Sequence, residues 1–208
     1  MAELADALGS GPSPRNWGWR FESSLRHSLK SSFCDELFFY FLAAGKIGRK
    51  TGDDEKKSDS QYYSFFKQQE EAIRTLKFEE PRMNVSRIYW DNFTCDMSGG
   101  SRRYPEVTSN ITKKFSEGAL IFNYLGHGSY NAISTEHSYS ITQVHNIYNK
   151  IYPVWFAGSC NVSQYDDFRY SFGEEIMLNP QGGAIASIVA VRTAYSNHNL
   201  ALDKNFLR

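Results

Sequence analysis

Two short apolar runs constrain the fold of this chain more than any other feature of its sequence. Residues 119–125 (Ala-Leu-Ile-Phe-Asn-Tyr-Leu) and 154–157 (Val-Trp-Phe-Ala) consist almost entirely of apolar side chains, and residues 184–191 form a third such run. This pattern is typical of strands that are covered on both faces, as in parallel sheets. The sequence therefore predicts a largely parallel sheet with a buried interior.

Helical patterns lie between these runs. Residues 63–76 place apolar side chains at amphipathic spacing, and residues 105–115 begin at Pro105 and end before Gly118, as a helix should. Further helices are expected near 141–150, 174–178 and 199–206, and a strand at 85–90. Alternating strands and helices from residue 59 onward indicate an α/β domain.

Residues 1–57 differ from the rest of the chain. They show no sustained helical or strand period, and residues 45–60 are dense in Lys, Asp and Gly, as a solvated linker would be. We expect residues 1–57 to be a disordered or non-native segment with a linker, and residues 58–208 to form a partial α/β domain that is incomplete at its N-terminus.

Composition excludes several classes of function. Lys and Arg total 23, as do Asp and Glu, so the balanced charge gives no reason to expect nucleic acid as a partner. The apolar run at residues 37–44 is too short to cross a bilayer, and Asp35 and Glu36 lie where a signal peptide would carry positive charge. The three cysteines lack zinc or disulfide spacing, and neither a metal nor a cofactor is expected.

Two reactive side chains follow the buried runs. His127 stands in Leu-Gly-His-Gly-Ser after the first run, and Cys160 stands in Gly-Ser-Cys after the second. Ligands of parallel sheets bind at the carboxyl ends of the strands, and a thiol becomes a nucleophile when an imidazole accepts its proton. We expect a Cys–His dyad, with the backbone N–H groups of Gly128 and Cys160 as an oxyanion hole.

These residues also carry a family resemblance. The chain resembles the caspase and legumain superfamily in having a hydrophobic block followed by His-Gly and then a second hydrophobic block followed by Cys. Its Gly-His-Gly-Ser stretch resembles the gingipain-type cysteine peptidases of that superfamily. Residues 123–128, 173–175 and 178–186 (Leu-Asn-Pro-Gln-Gly-Gly-Ala-Ile-Ala) look most like the gingipain-related sortase of the type IX secretion system. The resemblance covers roughly residues 80–208.

The resemblance implies a three-layer α/β/α sandwich, a Cys nucleophile, a His base and an acyl-enzyme. For the sortase it further implies removal of C-terminal secretion signals from exported proteins, contact with other secretion components, and a place at the cell surface, the outer membrane or the periplasm. For a general member it implies peptide hydrolysis. A non-catalytic module that binds secretion signals or partner proteins is the alternative.

Other polar residues could complete the site. Glu136 could orient His127 or bind substrate, although a solvated loop carboxylate is the simpler interpretation. Glu174 could bind substrate or merely cap a helix, and Thr193 could line a specificity pocket or form a turn. Asp166 and Asp167 together supply too few ligands for calcium.

Overall fold

A computed structural model describes residues 38–43 and 56–208 of this chain. The main strands are β1 (Phe38–Ala43), β2 (Asn84–Tyr89), β3 (Ile121–Leu125), β7 (Val154–Gly158) and β8 (Ala186–Val189). The short strands are β4 (Gly128–Ser129), β5 (Ala132–Ile133) and β6 (Tyr139–Ser140). The helices are α1 (Lys56–Glu79), α2 (Pro105–Glu117), α3 (Ile141–Val144), α4 (Phe172–Leu178) and α5 (Ser196–Phe206).

The five main strands form one sheet in the order β2-β1-β3-β7-β8. All of its neighbouring pairs are parallel. Parallel neighbours place their carboxyl ends at one edge, so the loops that follow β3, β7 and β8 meet there.

Helices cover both faces of this sheet. On one face, Phe122 of β3 stacks on Phe115 of α2 at a ring separation of 4.1 Å, and Trp155 of β7 meets Phe172 of α4 at 5.4 Å. On the other, Phe156 of β7 stacks on Phe206 of α5 at 5.5 Å. The predicted three-layer α/β/α sandwich is therefore confirmed, with large aromatic side chains forming much of its core.

A polar contact crosses the second interface. The Gln69 amide of α1 donates to Asn123 Oδ1 of β3 at 2.8 Å, and Asn123 Nδ2 donates to Asp203 of α5 at 2.5 Å. Gln69, Asn123 and Asp203 are all fully buried. A buried network of this kind fixes how α1 and α5 sit on β3, because buried polar groups are costly unless they pair.

The structure differs from the sequence prediction at several elements. Helix α1 begins at Lys56 rather than residue 63, and α3 has four residues where a longer helix was expected. The Asn149 side chain bonds to the main chain of Ile151 and Gly183 instead, which holds that segment as a turn. Strand β8 lies at the edge of the sheet and is half-buried rather than buried.

Strand β1 lies within residues 1–57, the N-terminal segment whose sequence differs from the rest of the chain. Its residues pair with both β2 and β3, and Phe41, Leu42 and Ala43 are fully buried. Residues 56 and 57 begin α1, and the rest of the segment that was expected to be disordered or non-native lies outside the described part of the chain. Among the described helices, none combines the length and apolarity needed to cross a membrane.

Candidate active site

His127 and Cys160 follow neighbouring strands at the same distance from their ends. In the β3–β7 pairing, Leu125 lies opposite Gly158, and each reactive residue comes two positions later. The Gly126 N–H donates to the Gly158 carbonyl at 3.5 Å, which extends the pairing one residue beyond the strand. The register therefore brings the two loops side by side at the carboxyl edge of the sheet.

Gly128 shows how closely these loops pack. A Cβ atom added at this position would lie 2.6 Å from Ser159 Oγ, 2.6 Å from Val162 Cγ2 and 3.1 Å from the Cys160 carbonyl oxygen. A larger residue at position 128 would therefore force Ser159 and Val162 to shift, so glycine allows the two loops to pack closely. The residue after His127 thus lies against the loop that carries Cys160.

The main chain of His127 is held in place by its neighbours. Its carbonyl oxygen accepts hydrogen bonds from Tyr124 Oη at 2.7 Å and from the Ser134 N–H at 2.8 Å. The imidazole meets the ring of Phe65, on α1, edge to face at 5.1 Å. These contacts fix the main chain of His127 and place its ring against α1.

The electrostatic surroundings favour a neutral imidazole. Burial lowers the pKa of His127 below its ordinary value of 6.5, and the negative charge of Glu136 opposes that shift. The neutral ring can accept a proton at neutral pH, which is the state that a general base requires.

Cys160 is half-buried, and its sulfur contacts the segment after β8. The Ala194 N–H donates to Sγ at 3.4 Å, and the thiol donates to the Ala194 carbonyl at 3.4 Å. The contact with Ala194 was not predictable from the sequence, because a main-chain contact leaves no signal in side-chain type.

Glu136 is not a solvated loop carboxylate. Its side chain is only 8% exposed, and its Oε2 has no hydrogen-bond partner among the described residues. Arg103 Nη1 donates to the Glu136 main-chain carbonyl at 3.0 Å. The carboxylate lies close enough to influence the pKa of His127, as the hypothesis of an orienting acid requires.

The remaining predicted residues lie in different surroundings. Glu174 accepts hydrogen bonds from the N–H and hydroxyl of Ser171 and so caps α4. Thr193 is exposed and precedes Ala194, which touches the Cys160 sulfur. Asp166 pairs with Arg192, and Asp167 pairs with Arg169, so both carboxylates already have cationic partners.

Known structures share this architecture. The crystal structure of the Arg-specific cysteine proteinase gingipain R superposes with a TM-score of 0.57 at 20% identity, over 83% of this chain and 35% of that one. A complex of the pro- and mature domains of RgpB from Porphyromonas gingivalis gives 0.55 at 19%, over 83% and 36%. A third structure, of a protease, gives 0.54 at 17%, over 86% and 34%.

These likenesses establish the fold, and this chain spans about a third of the length of the structures it matches. Among curated proteins, none matches it. The model of peptidase family C25 matches residues 40–208, which include all the main strands except the first two residues of β1. The predicted gingipain-type family is thereby confirmed: this chain belongs to peptidase family C25.

Proposed function

We propose that this protein is a cysteine peptidase in which Cys160 is the nucleophile and His127 the general base. The observation that carries the proposal is the shared register of β3 and β7, which sets both residues two positions beyond a paired strand end. The close packing of Gly128 against Ser159 and Cys160 supports it.

In the first step, His127 accepts the thiol proton and the Cys160 sulfur attacks the carbonyl carbon of the scissile peptide bond. The N–H groups of Gly128 and Cys160 donate to the oxygen that becomes negative. When the tetrahedral intermediate collapses, the C–N bond breaks and protonated His127 gives its proton to the leaving amine. Each oxyanion donor contributes about 3 kcal/mol to transition-state stabilisation.

The thioester is then resolved by an incoming nucleophile. His127 removes a proton from water, which attacks the thioester carbonyl, and the thiol leaves with a proton from the imidazolium. If an amine attacks instead, the product is a new amide. Glu136 is proposed to orient His127 and to stabilise its protonated form, since its carboxylate acts on that ring.

We further propose that this peptidase is a sortase, which removes C-terminal signals from exported proteins. It would act with other type IX secretion components at the cell surface, the outer membrane or the periplasm. The motifs at residues 123–128, 173–175 and 178–186 support it. Thr193, one residue before the sulfur-contacting Ala194, is the proposed contact to substrate. Glu174 already caps α4, which favours a structural role for it over substrate binding.

Thiol labelling tests the dyad. A peptidyl electrophile is expected to modify Cys160 in the intact protein, and His127→Ala is expected to slow that labelling by about a hundredfold, the usual contribution of a general base. Intact-mass spectrometry reads the modification, and Cys95, an exposed free thiol, provides an internal comparison. Equal labelling of Cys160 with and without His127 would exclude the dyad.

Product analysis separates hydrolysis from transfer. A substrate incubated with the protein and a primary amine yields either a free carboxylate or an amide at the new C-terminus, which differ in mass. Signal peptides that bind Cys160→Ala normally, but are never cleaved by the unchanged protein, would favour a non-catalytic binding module.

A further inference from the structure

A cavity of about 300 Å³ contains Glu136 in its wall but neither His127 nor Cys160. It lies between two loops and is lined by Ser101, Arg102, Arg103, Thr135, Glu136 and His137. Glu136 links the cavity to the site, because its carboxylate acts on His127. Five of the six lining side chains can donate hydrogen bonds.

The two arginines are available to a ligand. Neither Arg102 nor Arg103 forms an ion pair with a described carboxylate, in contrast to Arg87, Arg169 and Arg192. Arg103 donates a hydrogen bond from Nη1 to the main-chain carbonyl of Glu136. The acid on the same loop, Asp96, is engaged with the Ser98 N–H.

The loop that carries these arginines has a defined shape. Asp96 and Arg103 exchange both main-chain hydrogen bonds, at 2.8 and 2.9 Å, and so close the loop at its base. On the opposite wall, Ser134 and His137 adopt left-handed conformations with φ of 63° and 49°, which turns that loop around Glu136. Both walls of the cavity are therefore fixed by local hydrogen bonds or turns.

Charge decides what fits this cavity. Arg102 and Arg103 are always positive and Glu136 supplies one negative charge, so the lining carries an excess of one positive charge when His137 is neutral. A single carboxylate balances that excess, and guanidinium groups are well suited to bind one. We propose that this cavity binds an acidic side chain of the peptide substrate; its peptide character rests on the proposed function.

Binding can be measured without catalysis. The full chain carrying Cys160→Ala is titrated with a capped alanine peptide that contains one central glutamate, and backbone amide shifts are followed by NMR. The shifts are expected at residues 101–103 and 135–137. The matching glutamine peptide, and Arg102→Gln with the glutamate peptide, are each expected to bind at least about fivefold more weakly.

Arg82→Gln is the matched control, because Arg82 is an exposed arginine in the turn that precedes β2. It is expected to leave binding unchanged. Equal binding of the two peptides, or equal loss with Arg82→Gln and Arg102→Gln, would overturn the proposal. The binding assay needs no reactive thiol. If Cys160 failed to label, the proposed peptidase activity would be refuted, whereas the proposed binding of an acidic side chain would still be decided by the titration.

Discussion

The proposed base His127 is tuned by two opposing influences, desolvation and the charge of Glu136. Desolvation dominates and lowers its pKa, while the carboxylate raises it. A conservative substitution can remove the charge of Glu136 without changing the burial of His127. The effect of that charge on the pKa of His127 can therefore be tested with a single variant.

Glu136→Gln is expected to lower the pKa of His127 further, because it removes the charge that stabilises the imidazolium. The acid limb of the labelling rate at Cys160 should then move to lower pH, since the base becomes neutral earlier as pH rises. Labelling rates across pH 4 to 8 measure this shift. Glu174→Gln, which alters only the cap of α4, is the control.

An acid limb that stays in place with Glu136→Gln would show that the carboxylate does not act on His127. A limb that moves to higher pH would contradict the sign of the interaction. A lower rate at every pH with an unchanged limb would indicate that Glu136 positions the ring by contact alone.

At the scale of elements, the approach of the β3 and β7 loops depends on Gly128. Gly128→Ala would bring its new methyl group to within 2.6 Å of Ser159 Oγ and Val162 Cγ2, so these side chains or the loop that carries them must shift. We expect a cost of about 1–3 kcal/mol in the free energy of unfolding and a clear loss of Cys160 labelling. Thermal or denaturant unfolding and labelling of the same samples measure both effects.

Gly99→Ala is the matched control, because nothing lies within 4 Å of a Cβ atom at that position. It should change neither stability nor labelling. If Gly128→Ala labelled at the normal rate while remaining folded, close contact between the two loops would not be needed for the chemistry.

The same elements show what a sequence can reveal. Strands β3 and β7 and helix α2 were predictable, because continuous apolar runs and a Pro–Gly boundary are local signals. The strands β4, β5 and β6 were not, since two-residue strands are too short for any period to develop. Strand β1 was read only as an apolar run, because its pairing partners lie far along the chain.

The placement of the candidate pair His127 and Cys160 was predictable, but the surroundings of the two residues were not. His127 and Cys160 follow recognisable strands, so strand polarity alone places them at one edge of the sheet. The burial of Glu136 and the contact of Ala194 with sulfur depend on how distant loops fold back. Tertiary packing of that kind leaves no periodic trace in the sequence.

At the scale of the whole molecule, Asp203 links the helix α5 to the central sheet through Asn123 of β3. This carboxyl is fully buried, is linked to Asn123, and leaves Oδ2 without a partner among the described residues. Burial raises its pKa from 3.8 to about 7, against the opposing effect of the Asn123 hydrogen bond. The Lys204–Glu71 ion pair also joins α5 to α1.

This shift predicts how stability changes with pH. Between about pH 4 and 7 the folded protein keeps a proton on Asp203 that the unfolded chain has released, so the free energy of unfolding should fall as pH rises through that window. Above pH 7 both states have lost it and the slope should level off. Asp203→Asn, which keeps an acceptor for Asn123, should reduce that fall.

Urea unfolding of both proteins at half-unit steps from pH 4 to 8 measures the difference, which isolates Asp203 from all other titrating groups. Asp166→Asn is the control, because Asp166 is exposed and pairs with Arg192, so it should leave the fall between pH 5 and 7 intact. If Asp203→Asn and the unchanged protein gave parallel curves, Asp203 would be ionised throughout. The interface of α1 and α5 with β3 would then have to accommodate a buried negative charge rather than a protonated carboxyl group.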